Sequence, residues 1–253
     1  MNNRDYWENR ADDYEDEVFS VLANDRRDVV RSRIEALADS GKSAADFGCG
    51  IGHFLPVLSE CFERVSALDF SEQCLQRGRE RFPDLDNVEF VRCDLRAAKR
   101  TVPPVDVGIS VNALLTPEVA GQNAMLDGLR KHLVRGGDLV LVVPALESAL
   151  FVEQRLLQWH LEAGDSPDTA VAAVTGPDRA EDVKIGDLGV VEIDGVATKH
   201  YLEPELVDRL GNAGFEVTDV AKVEYGWETE FADPPDWMGA PFPWDWCATA
   251  VAR

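Results

Sequence analysis

Long apolar runs are missing from this chain of 253 residues. None approaches the roughly 18–20 residues that a membrane span requires, and the opening Met1 to Glu8 lacks the apolar core of a secretory signal. A cytoplasmic protein without membrane contact is the expectation. Cysteine is sparse and odd in number: Cys49, Cys61, Cys74, Cys93 and Cys247 are scattered, with no Cys-x-x-Cys pair, which argues against a disulfide framework or a zinc site. The four histidines, His53, His132, His160 and His200, show no metal-ligand spacing either, so no metal is expected. Positive charge is scarce. Lys and Arg number 25 against 47 Asp and Glu, a formal net charge of −22, and only Lys42, Lys99, Lys131, Lys184, Lys199 and Lys222 are lysines. Such a field repels phosphate backbones and anionic lipid, so nucleic acid and membrane are excluded as expected partners. It stays hydrated at high salt and suits a salt-tolerant host as well as an ordinary one.

What is present is globular. Hydrophobic residues make up 45% and charged ones 28%, and the length permits one large domain or two small ones. From residue 43 short apolar runs alternate with helical stretches, the order of a parallel sheet covered on both faces. Strands are expected at Ala44–Phe47, Val65–Phe70, Val88–Cys93, Val105–Val111 and Leu139–Pro144, with helices near 53–62, 71–82 and 117–134. Before them, residues 5–40 read as two helices, the second capped by Asn24 or Asp25, running through Ala38 and stopped by Gly41. After Pro144 the alternation lapses into a helix at Leu146–Leu161, an acidic stretch with glycine and proline at Gly164–Gly186, and a hairpin around Asp194-Gly195. It resumes with a helix at Glu203–Ala213 and strands at Phe215–Tyr225 and Trp244–Val251. The count is seven strands, the last antiparallel.

The stretch Ala45-Asp46-Phe47-Gly48-Cys49-Gly50-Ile51-Gly52-His53 runs from a strand through three alternate glycines into a helix. Glycine there lets the backbone turn and approach a ligand that a Cβ would exclude. Dinucleotide loops read GxGxxG. Here the third glycine stands one position early and His53 occupies the place of the expected glycine, which disfavours a nicotinamide cofactor. The pattern Asp46-x-Gly48-x-Gly50-x-Gly52 resembles motif I of the class I S-adenosylmethionine-dependent methyltransferases, small-molecule type, and the likeness extends over most of the chain. It implies a Rossmann-like, doubly wound sheet of seven strands, a cofactor S-adenosylmethionine that leaves as S-adenosylhomocysteine, and a loop, Cys49 included, wrapped on its methionine part.

The same resemblance gives Asp69, at the end of the second strand, the two ribose hydroxyls, and Phe70 the adenine face. It gives Asp94 the adenine amino group, between Cys93 and Leu95, and gives Val111 and Asn112 the closure over sulfonium and amino group. A segment similar to Trp7 through Tyr14 folds across the cofactor in such enzymes. The implied organisation is a single domain over 1–253: a helical lid at 1–40, the cofactor core at 43–144, an insertion or cap at 145–202, and the last helix and strands at 203–253.

Methyl transfer needs alignment and exclusion of water more than a nucleophile. A general base helps with hydroxyl or ammonium acceptors, and His160, His200 and Tyr201 are its candidates, the last two at the hairpin's end. The aromatic stretch carrying Trp244 and Trp246 is either an acceptor wall or edge packing. Asn112-Ala113-Leu114-Leu115 lacks the Asn-Pro-Pro-Tyr run of nucleic-acid and glutamine amino-methyltransferases, so a small O, N or C acceptor is expected. An enzyme of this fold with other chemistry, such as aminopropyl transfer or cofactor modification, and a non-catalytic cofactor-binding protein stay as alternatives. Oligomeric state is not legible.

Overall fold

Five consecutive valines and leucines in one strand define the sheet. Leu139, Val140, Leu141, Val142 and Val143 are all fully buried, and they alternate between two cores: Leu139, Leu141 and Val143 in one, Val140 and Val142 in the other. A strand can bury every side chain only when both faces of its sheet are covered, as in α/β folds. The structure, a computed structural model, describes residues 20–97, 99–182, 188–193 and 195–253, with the side chains of 175–182 excepted.

In chain order the elements are α1 (Val21–Asn24), α2 (Val29–Ala36), β1 (Asp39–Phe47), α3 (Leu55–Cys61), β2 (Phe62–Asp69), α4 (Glu72–Arg81), β3 (Val88–Arg92), β4 (Val105–Val111), α5 (Val119–His132) and β5 (Leu133–Pro144). There follow α6 (Leu146–Glu162), α7 (Pro167–Asp182), β6 (Val190–Ile193), β7 (Val196–Lys199), α8 (Glu203–Asn212), β8 (Phe215–Glu224), a 3-10 turn (Trp227–Thr229) and β9 (Trp244–Ala252). The main sheet has the order β3-β2-β1-β4-β5-β9-β8. The strands β1 to β5 pair in parallel, and β9 is antiparallel to both β5 and β8. This is the mixed seven-stranded Rossmann-like sheet expected, its last strand reversed. The chain crosses from one side of β1 to the other between β3 and β4, and an open α/β sheet binds ligands beyond the strand ends at such a switch.

Four boundaries differ from the sequence reading. The second helix, expected to start after Asn24 or Asp25 and run through Ala38, spans Val29–Ala36 instead: the Asp25 carboxylate accepts from the Arg27 and Val30 amides at 3.2 and 2.9 Å, and Asp28 takes a left-handed φ of 51°. Gly41 stops no helix; it lies within β1, whose pairing with β2 shifts register between Asp39 and Ser43. The strand β5 begins at Leu133, directly after α5, rather than at Leu139. The acidic stretch after Gly164 contains a helix, α7, whose start was legible in Ser166-Pro167-Asp168: Ser166 Oγ accepts from the Thr169 amide at 3.2 Å, and proline suits a first turn. The hairpin β6–β7 forms as expected, with Asp194 itself outside the described residues. Among the described residues no helix is long and apolar enough to cross a membrane.

Candidate functional site

A cavity of about 650 Å³ opens over the C-terminal ends of β1, β2, β4 and β5. The loop after β1 forms one side. Gly48 and Cys49 both donate to the Leu68 carbonyl, at 2.7 and 3.0 Å, which ties the loop to β2. Gly48, Gly50 and Gly52 have φ of 78°, 53° and 88°, a region costly to any side chain with a Cβ. A Cβ on Gly48 would stand 2.4 Å from that of Ala113, after β4. Gly48, Cys49 and Gly50 line the cavity, whereas Gly52 does not. Gly52 serves the turn into α3, packed so that a Cβ would meet Leu55 Cδ1 at 2.5 Å.

Asp69 ends β2 and is 8% exposed. Its Oδ2 accepts from the Gly50 amide at 2.9 Å and its Oδ1 from the Ser71 amide at 2.8 Å. It is not a helix cap: Ser71 holds that position on α4, accepting from the Cys74 amide. Two amides orient the carboxylate and leave lone pairs on both oxygens, as a pair of vicinal hydroxyls requires. Burial raises the Asp69 pKa, and the amides of Ser71, Gly50 and Phe70 oppose the rise. Asp46, also buried, is pushed up to about 7 by burial and then by the charge of Asp69. Two carboxylates that resist ionising side by side make a place where a cation is favoured.

Phe70, Cys93, Asp94, Leu95, Val111 and Asn112 line the cavity with Asp46 and Asp69. The Cys93 amide donates to the Asp69 carbonyl at 2.8 Å, holding the two strand exits together. Asp94 is gripped by the Arg96 fork, Nε to Oδ1 and Nη2 to Oδ2, both at 3.0 Å. Asn112 adopts a left-handed φ of 48°, an unusual conformation for a residue with a side chain. Its Nδ2 donates to Asp245 Oδ2 at 3.0 Å, and its buried Oδ1 has no partner among the described residues.

The opposite wall was only partly foreseen. His200, 6% exposed, lines the cavity. Its Nδ1 lies 3.1 Å from the Thr198 carbonyl, and a carbonyl only accepts, so Nδ1 carries the hydrogen and Nε2 the lone pair. Burial, then Lys199, lowers the pKa of His200. Tyr201 corrects the expectation of a second base: it is 0% exposed, its hydroxyl donates to the Leu114 carbonyl at 3.2 Å, and it does not line the cavity. Burial pushes its pKa up. Tyr201 instead pins the end of the insertion to β5, its amide donating to the Pro144 carbonyl at 2.8 Å. His160 is likewise elsewhere, paired with Asp165 at 2.8 Å.

Of the aromatic pair, Trp244 lines the cavity and Trp246 does not; Trp246 Nε1 donates to Glu147 at 3.1 Å. Trp7 and Tyr14 lie outside the described residues. Sequence reasoning missed Ser148, Val152 and Glu153 on α6, Val191, Ile193 and Val196 on the hairpin, and Tyr225, Glu230 and Asp245. Asp245 had a signal: it is the one acid in the apolar strand Trp244-Asp245-Trp246-Cys247-Ala248. Among the described residues no group of His, Cys, Asp and Glu is arranged to hold a metal.

A glycine cradle that a Cβ would fill, a paired strand-end carboxylate with free lone pairs and an unsatisfied buried amide oxygen fit S-adenosylmethionine. The fold is similar to that of S-adenosylmethionine-dependent methyltransferases. Residues 44–137 match the family model described as a methyltransferase domain. The chain is 30% identical over 123 residues to the dTDP-3-amino-3,4,6-trideoxy-alpha-D-glucopyranose N,N-dimethyltransferase of Streptomyces venezuelae, a match covering 49% of each, so it spans about half the length of that curated relative. Its fold is similar to that of an S-adenosylmethionine-dependent methyltransferase from Anabaena variabilis, with TM-score 0.65 and 15% identity over 100% of this chain and 96% of that one. The N-methyltransferase NodS of Bradyrhizobium japonicum, in complex with S-adenosylhomocysteine, superposes with TM-score 0.63 and 12% identity over 100% of this chain and 99% of that one.

Proposed function

We propose that this protein transfers a methyl group from S-adenosylmethionine to the O, N or C atom of a small molecule, in the cytoplasm. The observation that carries the reading is the Asp69 carboxylate, oriented by the Gly50 and Ser71 amides at the rim of the glycine cradle. In this reading Asp69 accepts from the ribose hydroxyls. Asp94, held by Arg96, accepts at the adenine edge, and Phe70, Cys93, Leu95 and Val111 enclose the base. Asp46, Gly48, Cys49, Gly50 and Asn112 receive the methionine end, with Gly52 shaping the turn behind them.

When bound, the cofactor supplies an electrophilic methyl on a sulfonium. His200 Nε2 would take the proton of the acceptor. The Thr198 carbonyl holds that imidazole in the tautomer a base needs. Ala149, Val152, Val191, Ile193 and Val196 give the acceptor side an apolar wall that excludes water. Trp7 and Tyr14 would close the site as a lid, within a single domain over 1–253.

A small acceptor is supported by the net charge of −22, which disfavours nucleic acid and lipid surfaces. It is supported too by the Streptomyces venezuelae relative, named for an amino sugar substrate. All five cysteines are free, as suits a reducing compartment. Calorimetry with S-adenosylhomocysteine and with NAD tests the cofactor, and transfer of labelled methyl to a panel of small acceptors tests the activity. Binding of NAD in place of S-adenosylhomocysteine would overturn the reading.

A further inference from the structure

We propose that Asp245 sets acceptor specificity, the carboxylate oxygen to which no described residue donates receiving the N–H of a cationic amine beside the methyl-transfer position. The inference rests on the function proposed above and names the acceptor's chemical class. Both hydrogen bonds that Asp245 accepts fall on one oxygen: Asn112 Nδ2 at 3.0 Å and the Tyr225 hydroxyl at 2.7 Å both reach Oδ2. Among the described residues Oδ1 has no donor. The Oδ1 of Asn112, on the amide that donates to Asp245, is buried and also without a donor among the described residues. Two acceptor oxygens on a hydrogen-bonded pair of residues in the cavity wall call for a donor group. An ammonium is such a group and accepts nothing.

The charge around the pair agrees. Among the described residues lining the cavity, Arg96 is the sole Lys or Arg, and its guanidinium is spent on Asp94. His200 has its pKa lowered by burial. Glu230 and Asp245 are both raised by burial, and Glu230 further by the Asp245 charge, so a cation between them relieves both. The position follows from topology. Asp245 pairs with Pro144 at the exit of β5, on the side of the cavity away from the glycine loop, and α6 and the hairpin bring their apolar residues to the same side. An amine carried on an apolar body matches a carboxylate set in such a wall.

One ammonium could come from either of two sources, the acceptor or the amino-acid end of the cofactor. Sinefungin separates them, because it carries a primary amine on a carbon in place of the sulfur of S-adenosylhomocysteine, while both share the amino-acid end. Calorimetry of both ligands with wild type and with Asp245→Asn is the experiment. Wild type should prefer sinefungin by about tenfold or more. The variant should lose ten- to hundredfold in sinefungin affinity, the range of a charged hydrogen bond, with S-adenosylhomocysteine changed less than about threefold. Equal weakening of both ligands would place Asp245 on the cofactor's own amino group, and no weakening would remove it from the site; either overturns the proposal. A measurement on wild type alone guards against a variant that misfolds: with S-adenosylhomocysteine bound, propylammonium should titrate saturably and propanol should not. Equal behaviour of the two would overturn the amine assignment. If wild type binds neither nucleoside, the function proposed above is what fails.

Discussion

The two sides of the cavity are built differently. The side formed by β1, β2 and the loops after them is held by backbone: Gly48 and Cys49 amides on the Leu68 carbonyl, Gly50 and Ser71 amides on Asp69, the Cys93 amide on the Asp69 carbonyl. The side formed by α6, the hairpin and β9 has backbone pairs too, Tyr201 to Pro144 and the β5–β9 ladder, and adds bonds from side chains to groups far apart in sequence. Asn112 reaches Asp245 across 133 positions and Tyr201 reaches Leu114 across 87, and the Trp244 amide donates to Ser148 Oγ across 96. Backbone hydrogen bonds need only a conformation, which a short motif can encode. Side-chain bonds need particular partners, which no short motif encodes.

The sharpest way to break this contrast is in the loop. Gly48→Val combines a left-handed φ of 78° with a Cβ 2.4 Å from Ala113, and should reduce S-adenosylhomocysteine affinity by more than about a hundredfold in calorimetry; retained binding would show that the loop does not hold the cofactor.

Next in size is His200→Gln. It should slow methyl transfer by about a hundredfold or more, within the usual range for a lost general base, and leave S-adenosylhomocysteine affinity unchanged. The pH profile gives the sign. A base works unprotonated, so the wild-type rate should rise with pH through a pKa below the ordinary histidine value of 6.5 and be flat above it. The variant should lose that rise. A rate that still climbs through the same pH would assign the base elsewhere.

Asp69→Ala should cost ten- to hundredfold in S-adenosylhomocysteine affinity, since a hydrogen bond to a charged group contributes roughly 1.5–3 kcal/mol. Circular dichroism should report an intact fold. The smallest effect is expected at Tyr201→Phe: turnover within about twofold of wild type, and a stability loss of about 1 kcal/mol from the hydrogen bond to the Leu114 carbonyl, read from denaturant unfolding. A large loss of turnover at full stability would return Tyr201 to the chemistry.

The glycine-loop half of the cavity was legible for a reason particular residues make plain. Asp46, Gly48, Gly50, Asp69, Asp94 and Asn112 each stand at or just after a strand end, and successive parallel strands deliver their C-terminal ends to one edge whatever packs elsewhere. Tyr201 shows the limit. One residue after His200, it points into the core while His200 faces the cavity, and neighbours in an extended segment turn to opposite sides. Sequence spacing placed both at the hairpin's end without saying which side each would take. Trp244 and Trp246 failed differently, for they have the same parity on β9 but different depths: Trp244 at the strand's start lines the cavity, and Trp246 two residues on has Glu147 for a partner.

By itself the amino-acid order determined the parallel sheet, its reversed last strand, the glycine cradle and the carboxylate beside it, because each depends on local periodicity, on backbone angles open to few residues, or on strand succession. Only the tertiary structure decided which polar groups share the cavity wall opposite the glycine loop. That wall joins α6, a hairpin and the strand β9, brought together by burial of the sheet's two faces, and burial specifies apolar contact without naming the polar partners that arrive with it. Asp245, marked in the sequence only as a lone acid between two tryptophans, acquires its setting when Asn112 and Tyr225 fold onto the same oxygen.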